Sequence, residues 1–173
     1  MKIEINDEFF DEESLKNTPG RIQKFIKEWE EDKNFKFTVF DNEGYNHMII
    51  LKTDFESLCS HHLMPFHGTC WIGYIPNEKI CGISKLARAV DKFAHRPQLQ
   101  ERLTEQIIDF LDKMLKPKGV MIVMKARHDC MALRGVKKPN SLMTTSAIRG
   151  VFEEQTVRQE FLELIKLDGG VNL

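Results

Sequence analysis

Apolar side chains recur along this chain with two distinct periods. Ile22, Phe25, Ile26 and Trp29 fall at i, i+3, i+4 and i+7, which predicts a helix with one apolar face. Thr18-Pro19 reads as its start, because threonine caps a helix and proline fits the first turn. Residues 1–16 mix acids with Phe9 and Phe10 and suggest a short arm or partial helix, and a turn is expected at 31–34. Residues 35–40 and 48–51, separated by Gly44, read as extended segments pairing as a hairpin in a sheet core. Residues 69–75 alternate, with Cys70, Ile72 and Tyr74 on one face and Thr69, Trp71 and Gly73 on the other. After the Pro76-Asn77 turn comes a short apolar run at 80–83. Ser84 is then placed to cap a helix carrying Leu86, Ala87, Val90 and Phe93. A further helix fits 99–115, with Leu103, Ile107, Phe110, Leu111 and Met114 on its apolar face, and Pro117 and Gly119 stop it. Strands follow at 120–126 and 144–150, and a last helix at 153–166 carries Val157, Phe161 and Ile165.

This order favours an α+β fold in which helices cover an antiparallel sheet. The chain is expected to divide into an N-terminal arm and helix (1–34) and one main domain (35–173), without a convincing second domain. An open sheet has unpaired edges, and joining subunits into a ring is one way of covering them. With 173 residues, 42% hydrophobic and 29% charged, the chain has the composition of one globular domain. A formal net charge of −1 gives no global attraction for a nucleic-acid polymer. No apolar run approaches the roughly 20 residues needed to cross a bilayer. The first residues lack a signal peptide's basic and apolar regions, so a cytoplasmic protein is expected.

Two clusters carry the candidate chemistry. The stretch ESLCSHHLMPFH (56–67) holds Cys59, His61, His62 and His67, and about seventy residues later comes His128-Asp129-Cys130. Two residues separate Cys59 from His62, so a tight turn can bring a thiolate and an imidazole onto one ion. Cys130 completes a Cys2His set that leaves the fourth position of a tetrahedral zinc open for water. His61 and His128 remain as proton carriers. Alternatively, Cys59, Cys70, Cys81 and Cys130 are ordinary buried thiols with satisfied histidines nearby, or two of them form a redox pair, although no Cys-x-x-Cys is present. Gln100-Glu101 at a helix start offers an amide and a carboxylate to the edge of a nitrogen-rich base, or simply a solvent-facing helix end. Ser84, Lys85 and Arg88 form a polar group, and Arg134, Lys137 and Lys138 follow the second cluster. No Gly-rich phosphate loop is present, so phosphate recognition would rest on side-chain charge and helix ends.

SLCSHHLMPF (57–66), GISKLARAVDKFAHRPQLQERLTEQI (82–107) and HDCMALRGV (128–136), in this order and spacing, resemble the GTP cyclohydrolase I family. The resemblance runs from about Leu15 to Phe152. It implies a tunnelling fold and a decameric ring of two face-to-face pentamers, with active sites between subunits. It also implies Cys59, His62 and Cys130 as zinc ligands, and His61 and His128 as catalytic histidines. Gln100 and Glu101 match the guanine-recognition pair, Ser84 the ribose-binding position, and Lys85, Arg88 and Arg134 the triphosphate-binding residues. The implied reaction opens the imidazole ring of GTP, releases C8 as formate and rearranges the ribose, giving 7,8-dihydroneopterin triphosphate.

The sequence departs from the family pattern in three places. Ser60 stands where the family usually has glutamate. Most of the helical extension that usually precedes the Thr-Pro segment is missing. No arginine occurs between positions 45 and 55, where members commonly supply a further phosphate contact; Lys52 offers charge there without arginine's bidentate fork. Two other readings follow: a related zinc cyclohydrolase or amidohydrolase that acts on another purine nucleotide or stops at ring opening, and a non-catalytic ring-forming protein.

Overall fold

In the computed structural model, which describes residues 11–30 and 35–167, five helices and seven strands succeed one another along the chain. Five of the strands form one sheet in the order β5-β2-β3-β6-β7. Its centre is β2 (Ile49–Cys59), β3 (Pro65–Ile75) and β6 (Gly119–His128), with β7 (Met143–Gly150) at one edge. These four run antiparallel to their neighbours, whereas the two-residue β5 (Pro97–Gln98) lies parallel to the end of β2. The short strands β1 (Val39–Asp41) and β4 (Lys79–Cys81) pair separately as a two-stranded ribbon.

Alternation along the strands decides what each face buries. Cys70, Ile72 and Tyr74 of β3 and Val120, Ile122 and Met124 of β6 point into the main core. There they meet α2 (Ile83–Ala94) through Leu86 and Val90, and α3 (Gln100–Leu115) through Leu103, Ile107 and Leu111. On the opposite face Trp71, Met121 and Val123 pack against Phe152 and against Phe161 and Ile165 of α5 (Gln155–Leu167). The result is an α+β tunnelling fold with helices on both sides of an almost wholly antiparallel sheet. No helix among the described residues is long and apolar enough to cross a membrane.

Several sequence expectations need correction. The first helix, α1 (Glu12–Glu30), starts six residues before Thr18 and carries Pro19 inside it. Asp11 accepts a hydrogen bond from the Ser14 amide at 2.7 Å, and Glu12 and Glu13 favour the positive end of the helix. Arg21 reaches back past the proline to Glu13 at 2.7 Å. Ser84 is not a cap either: Gly82 holds that position in extended conformation, without a side-chain bond. The segment 35–40 forms strand only from Val39 and pairs with β4, not with the segment beginning near residue 48, because Phe35 and Phe37 turn inward against Phe110. Helix α4 (Asp129–Ala132) and β5 were not expected. The N-terminal ten residues of the proposed arm and the 31–34 turn lie outside the described residues.

The docking of α5 depends on Gly73. A Cβ there would stand 2.6 Å from two ring carbons of Phe161, well inside normal contact. Gly73→Ala is expected to displace the ring and destabilise the protein by about 1–3 kcal/mol, as overpacking does. Urea denaturation followed by circular dichroism measures it, with the midpoint falling while the native helical signal is retained.

Candidate metal centre and active site

The hairpin joining β2 to β3 builds the first half of the site. The Cys59 amide donates to the Met64 carbonyl at 2.8 Å, and the Leu63 amide returns to the Cys59 carbonyl at 2.8 Å. Leu63 closes the turn in the left-handed region, with φ of 54°, a conformation that disfavours a bulky side chain and that tight turns at functional sites nevertheless use. The Ser60 amide is tied to the Gln98 carbonyl of β5 at 2.9 Å. Cys59 is therefore buried at the strand end, while Ser60, His61 and His62 stand exposed on the turn.

The second half arrives on β6. His128 is the last residue of that strand, directly opposite Phe66 of β3, and its ring stacks on the Phe66 ring at 4.6 Å with 3° between the planes. Asp129 starts the short α4, which carries Cys130. Burial, a hydrogen bond with the Cys59 thiol and the charge at Cys59 raise the Cys130 pKa, and Arg134 opposes them. The strand register thus brings Cys59 and Cys130 together from positions 71 residues apart in the chain.

The donor atoms of Cys59, His61 and His62 all lie within 4.8 Å of one another. This trio differs from the sequence expectation by holding His61 alongside His62. The Cys59 sulfur stands 3.8 Å from His62 Nδ1. Zn–S and Zn–N bonds at the tetrahedral angle put those two atoms about 3.6 Å apart, so the pair is spaced for one zinc ion. Cys130, next to Cys59, stands outside that trio, and thiol and imidazole donors of this kind fit zinc. The remaining cysteines belong to the scaffold. Cys70 is fully buried in the core with its pKa pushed up by burial, and burial pushes the Cys81 thiol, beside the Tyr74 hydroxyl, up to about 11. All four are free thiols.

The other expected site residues divide into two groups. Glu101 is exposed at the first turn of α3, close enough to His128 for its charge to act on the imidazole. Burial lowers the His128 pKa, and Glu101 and Asp129 oppose that shift. The Arg134 guanidinium stands 3.0 Å from His62 Nε2. Gln100 is not presented to solvent: it is 1% exposed, with its amide bonded to β6, β7 and His128. Ser84, Lys85 and Arg88 lie at the start of α2, and Lys85 donates to the Lys36 carbonyl at 2.9 Å. The other end of α2 is fixed beside the metal hairpin, where the buried Ser57 hydroxyl donates to the Ala94 carbonyl at 2.7 Å. Ten residues at 1.5 Å each separate Ser84 from Ala94, about 15 Å along the helix. Lys85 and Arg88 therefore lie toward the end of α2 away from the metal hairpin. Phe66 was not singled out from the sequence, since its stacking role follows only from the cross-strand register.

Comparison with known proteins agrees with this geometry. The sequence profile of the GTP cyclohydrolase I family matches residues 2–166. GTP cyclohydrolase 1 of Aquifex aeolicus is 52% identical over 159 residues, covering 90% of this chain and 86% of that protein. The enzymes of the same name from a Sulfurihydrogenibium species and Porphyromonas gingivalis are 48% and 49% identical, each over 88% of this chain and over 83% and 82% of their own lengths. Among solved structures, the archaeosine synthase QueF-Like in the apo form aligns with a TM-score of 0.50 at 20% identity, over 60% of this chain and 93% of that one, a likeness of fold alone. With the profile spanning nearly the whole sequence and the Cys-His-His cluster assembled at the hairpin, the chain belongs to the GTP cyclohydrolase I family.

Proposed function

We propose that the protein is a zinc-dependent enzyme that converts GTP and water into 7,8-dihydroneopterin triphosphate and formate. The observation that carries this reading is the convergence of Cys59, His61 and His62 with Cys130 and His128 from two distant segments, in a chain of this family. Cys59, His62 and Cys130 would hold the zinc. When bound, the ion supplies Lewis acidity, polarising an oxygen and lowering the pKa of water at an open coordination position. His61, exposed on the hairpin turn, and His128, stacked on Phe66, exchange protons with the base as its imidazole ring opens and C8 leaves as formate. Glu101 accepts from the N1–H and 2-amino group of guanine, and Ser84 approaches the ribose. Lys85, Arg88 and Arg134 bind the triphosphate.

We infer sites shared between subunits, with Ser84, Lys85 and Arg88, which lie toward the end of α2 away from the metal hairpin, serving a neighbour's metal centre. Apolar residues left open on the monomer support the same assembly. They include Ile22, Phe25 and Ile26 on α1, and Leu133, Val136 and Leu142 beyond α4. With Leu58, Leu63 and Pro97, the α1 residues border a cavity of about 270 Å³. A decamer of two pentamers, each chain contributing an arm (1–34) and a catalytic body (35–173), is the assembly we infer, in the cytoplasm.

Three measurements test this reading. Purified protein should carry about one zinc per chain by elemental analysis, and Cys130→Ala should lose most of the metal together with GTP turnover; full activity without bound metal would sink the mechanism. Glu101→Gln should lower kcat/KM for GTP by about 10²-fold or more at unchanged zinc content, and narrow the preference for GTP over ITP. For the shared site, inactive Arg88→Ala and His61→Ala chains should complement when co-assembled. Random mixing makes about a quarter of sites intact, whereas a site built within one chain would leave every mixed ring inactive.

A further inference from the structure

The side chain of Gln100 has a complete set of partners inside the protein. Its Nε2 lies 3.2 Å from the Met124 carbonyl of β6, 3.2 Å from the Met143 carbonyl of β7 and 3.1 Å from the Thr145 hydroxyl. Its Oε1 lies 2.8 Å from His128 Nε2. Carbonyl oxygens only accept, so the end of the amide that faces two of them is the NH2 group. The reversed amide would set an oxygen against two oxygens. Oε1 therefore faces His128, and an amide oxygen cannot donate, so His128 Nε2 carries the proton it accepts. The hydroxyls agree with this direction. The two Gln100 amide protons are shared among three acceptors, Thr145 donates to Thr104 at 2.8 Å, and Thr104 donates to the Gln100 carbonyl at 2.8 Å. Each hydroxyl proton is then used once, and the network closes.

We propose that Gln100 is a positioning residue for His128. It holds the imidazole in the Nε2–H tautomer and leaves Nδ1 as the ring nitrogen that exchanges a proton with substrate. Phe66 fixes the plane of the ring by stacking, and Gln100 fixes its rotation within that plane. Guanine recognition by side chains then falls to the neighbouring Glu101 alone, with the Gln100 side chain committed to the sheet and to His128. This inference rests on the reading of His128 as a proton carrier. Hydrogen-bonded partners of this kind set which imidazole nitrogen is available, and their loss lowers activity by about 10–100-fold where they support a working histidine.

The test combines a variant with a measurement on the unaltered enzyme. Gln100→Met keeps the length of the side chain and removes its hydrogen bonds. The expected result is a fall of about 10–100-fold in kcat for GTP, with KM, zinc content and the GTP-over-ITP preference unchanged. A Gln100 side chain that read the base would instead give a raised KM and a collapsed preference at retained kcat, and that result overturns the proposal. Solid-state nitrogen NMR of the zinc-loaded wild-type enzyme, labelled with 15N in histidine, reads the tautomer directly. His128, assigned by the signal lost in His128→Asn, should show a protonated Nε2 and a bare Nδ1 in its neutral ring; the opposite pattern overturns the assignment. This spectrum decides the matter if Gln100→Met fails to fold. It also separates this proposal from the wider one, because a protein that does not turn over GTP would still report its tautomer.

Discussion

Everything at the candidate site depends on the register between β3 and β6. Ten consecutive pairs, from Phe66 opposite His128 to Ile75 opposite Gly119, fix how far each strand runs past the other. A slip of one residue would move Ile122 and Met124 out of the main core and Met121 and Val123 into it, exchanging the faces that α3 and α5 cover. The same slip would carry His128 off Phe66 and away from the Gln100 amide. Burial of the strands against helices on both faces therefore also specifies where His128 and Cys130 stand relative to Cys59. Gly68 contributes to this closeness: a Cβ there would run into the Lys125 carbonyl, so the two strands approach along a line that only glycine allows.

Much of this was legible in the sequence because it rests on period and spacing. The alternation of residues 69–75 assigned Cys70, Ile72 and Tyr74 to one face, and the structure puts all three in the main core. The spacing of Cys59 and His62 anticipated a turn, and the hairpin supplies it. Other features were not legible, for physical reasons. Proline at position 19 suggests a first turn, but a local cap at Asp11 and an ion pair spanning Pro19 extend the helix through it. Residues 35–40 carry strand-like alternation, yet the aromatic cluster of Phe35, Phe37 and Phe110 takes the first part for the core and leaves only Val39–Asp41 to pair. Gln100 looked like a surface amide at a helix start, since no local pattern records that two strands distant in sequence offer it their carbonyls.

The cysteines illustrate how position divides one residue type into two kinds of chemistry. Cys70 lies within a strand, surrounded by apolar side chains, and burial holds it as a neutral thiol. Cys59 and Cys130 lie where β2 and β6 end, beside turns that admit solvent and imidazoles. The neighbouring Cys59 is one cause of the raised Cys130 pKa, after burial. A zinc ion held there would favour the thiolate forms of its cysteine ligands.

The same division of labour extends along α2. Its C-terminal end is locked to β2 by the Ser57 hydroxyl, which donates to the Ala94 carbonyl and lies 3.2 Å from the Arg96 carbonyl. That contact is buried and sits two residues before Cys59, so α2 is part of what holds the metal hairpin in place. The N-terminal end, with Ser84 and Arg88 exposed, has no such duty to its own hairpin. A rigid helix cannot bring both ends to one point. If its cations meet the triphosphate of a nucleotide, they do so away from the hairpin that α2 itself supports, in keeping with the shared site inferred above. Sharing the site between chains would make assembly a condition of chemistry as well as a means of covering the edge of β7.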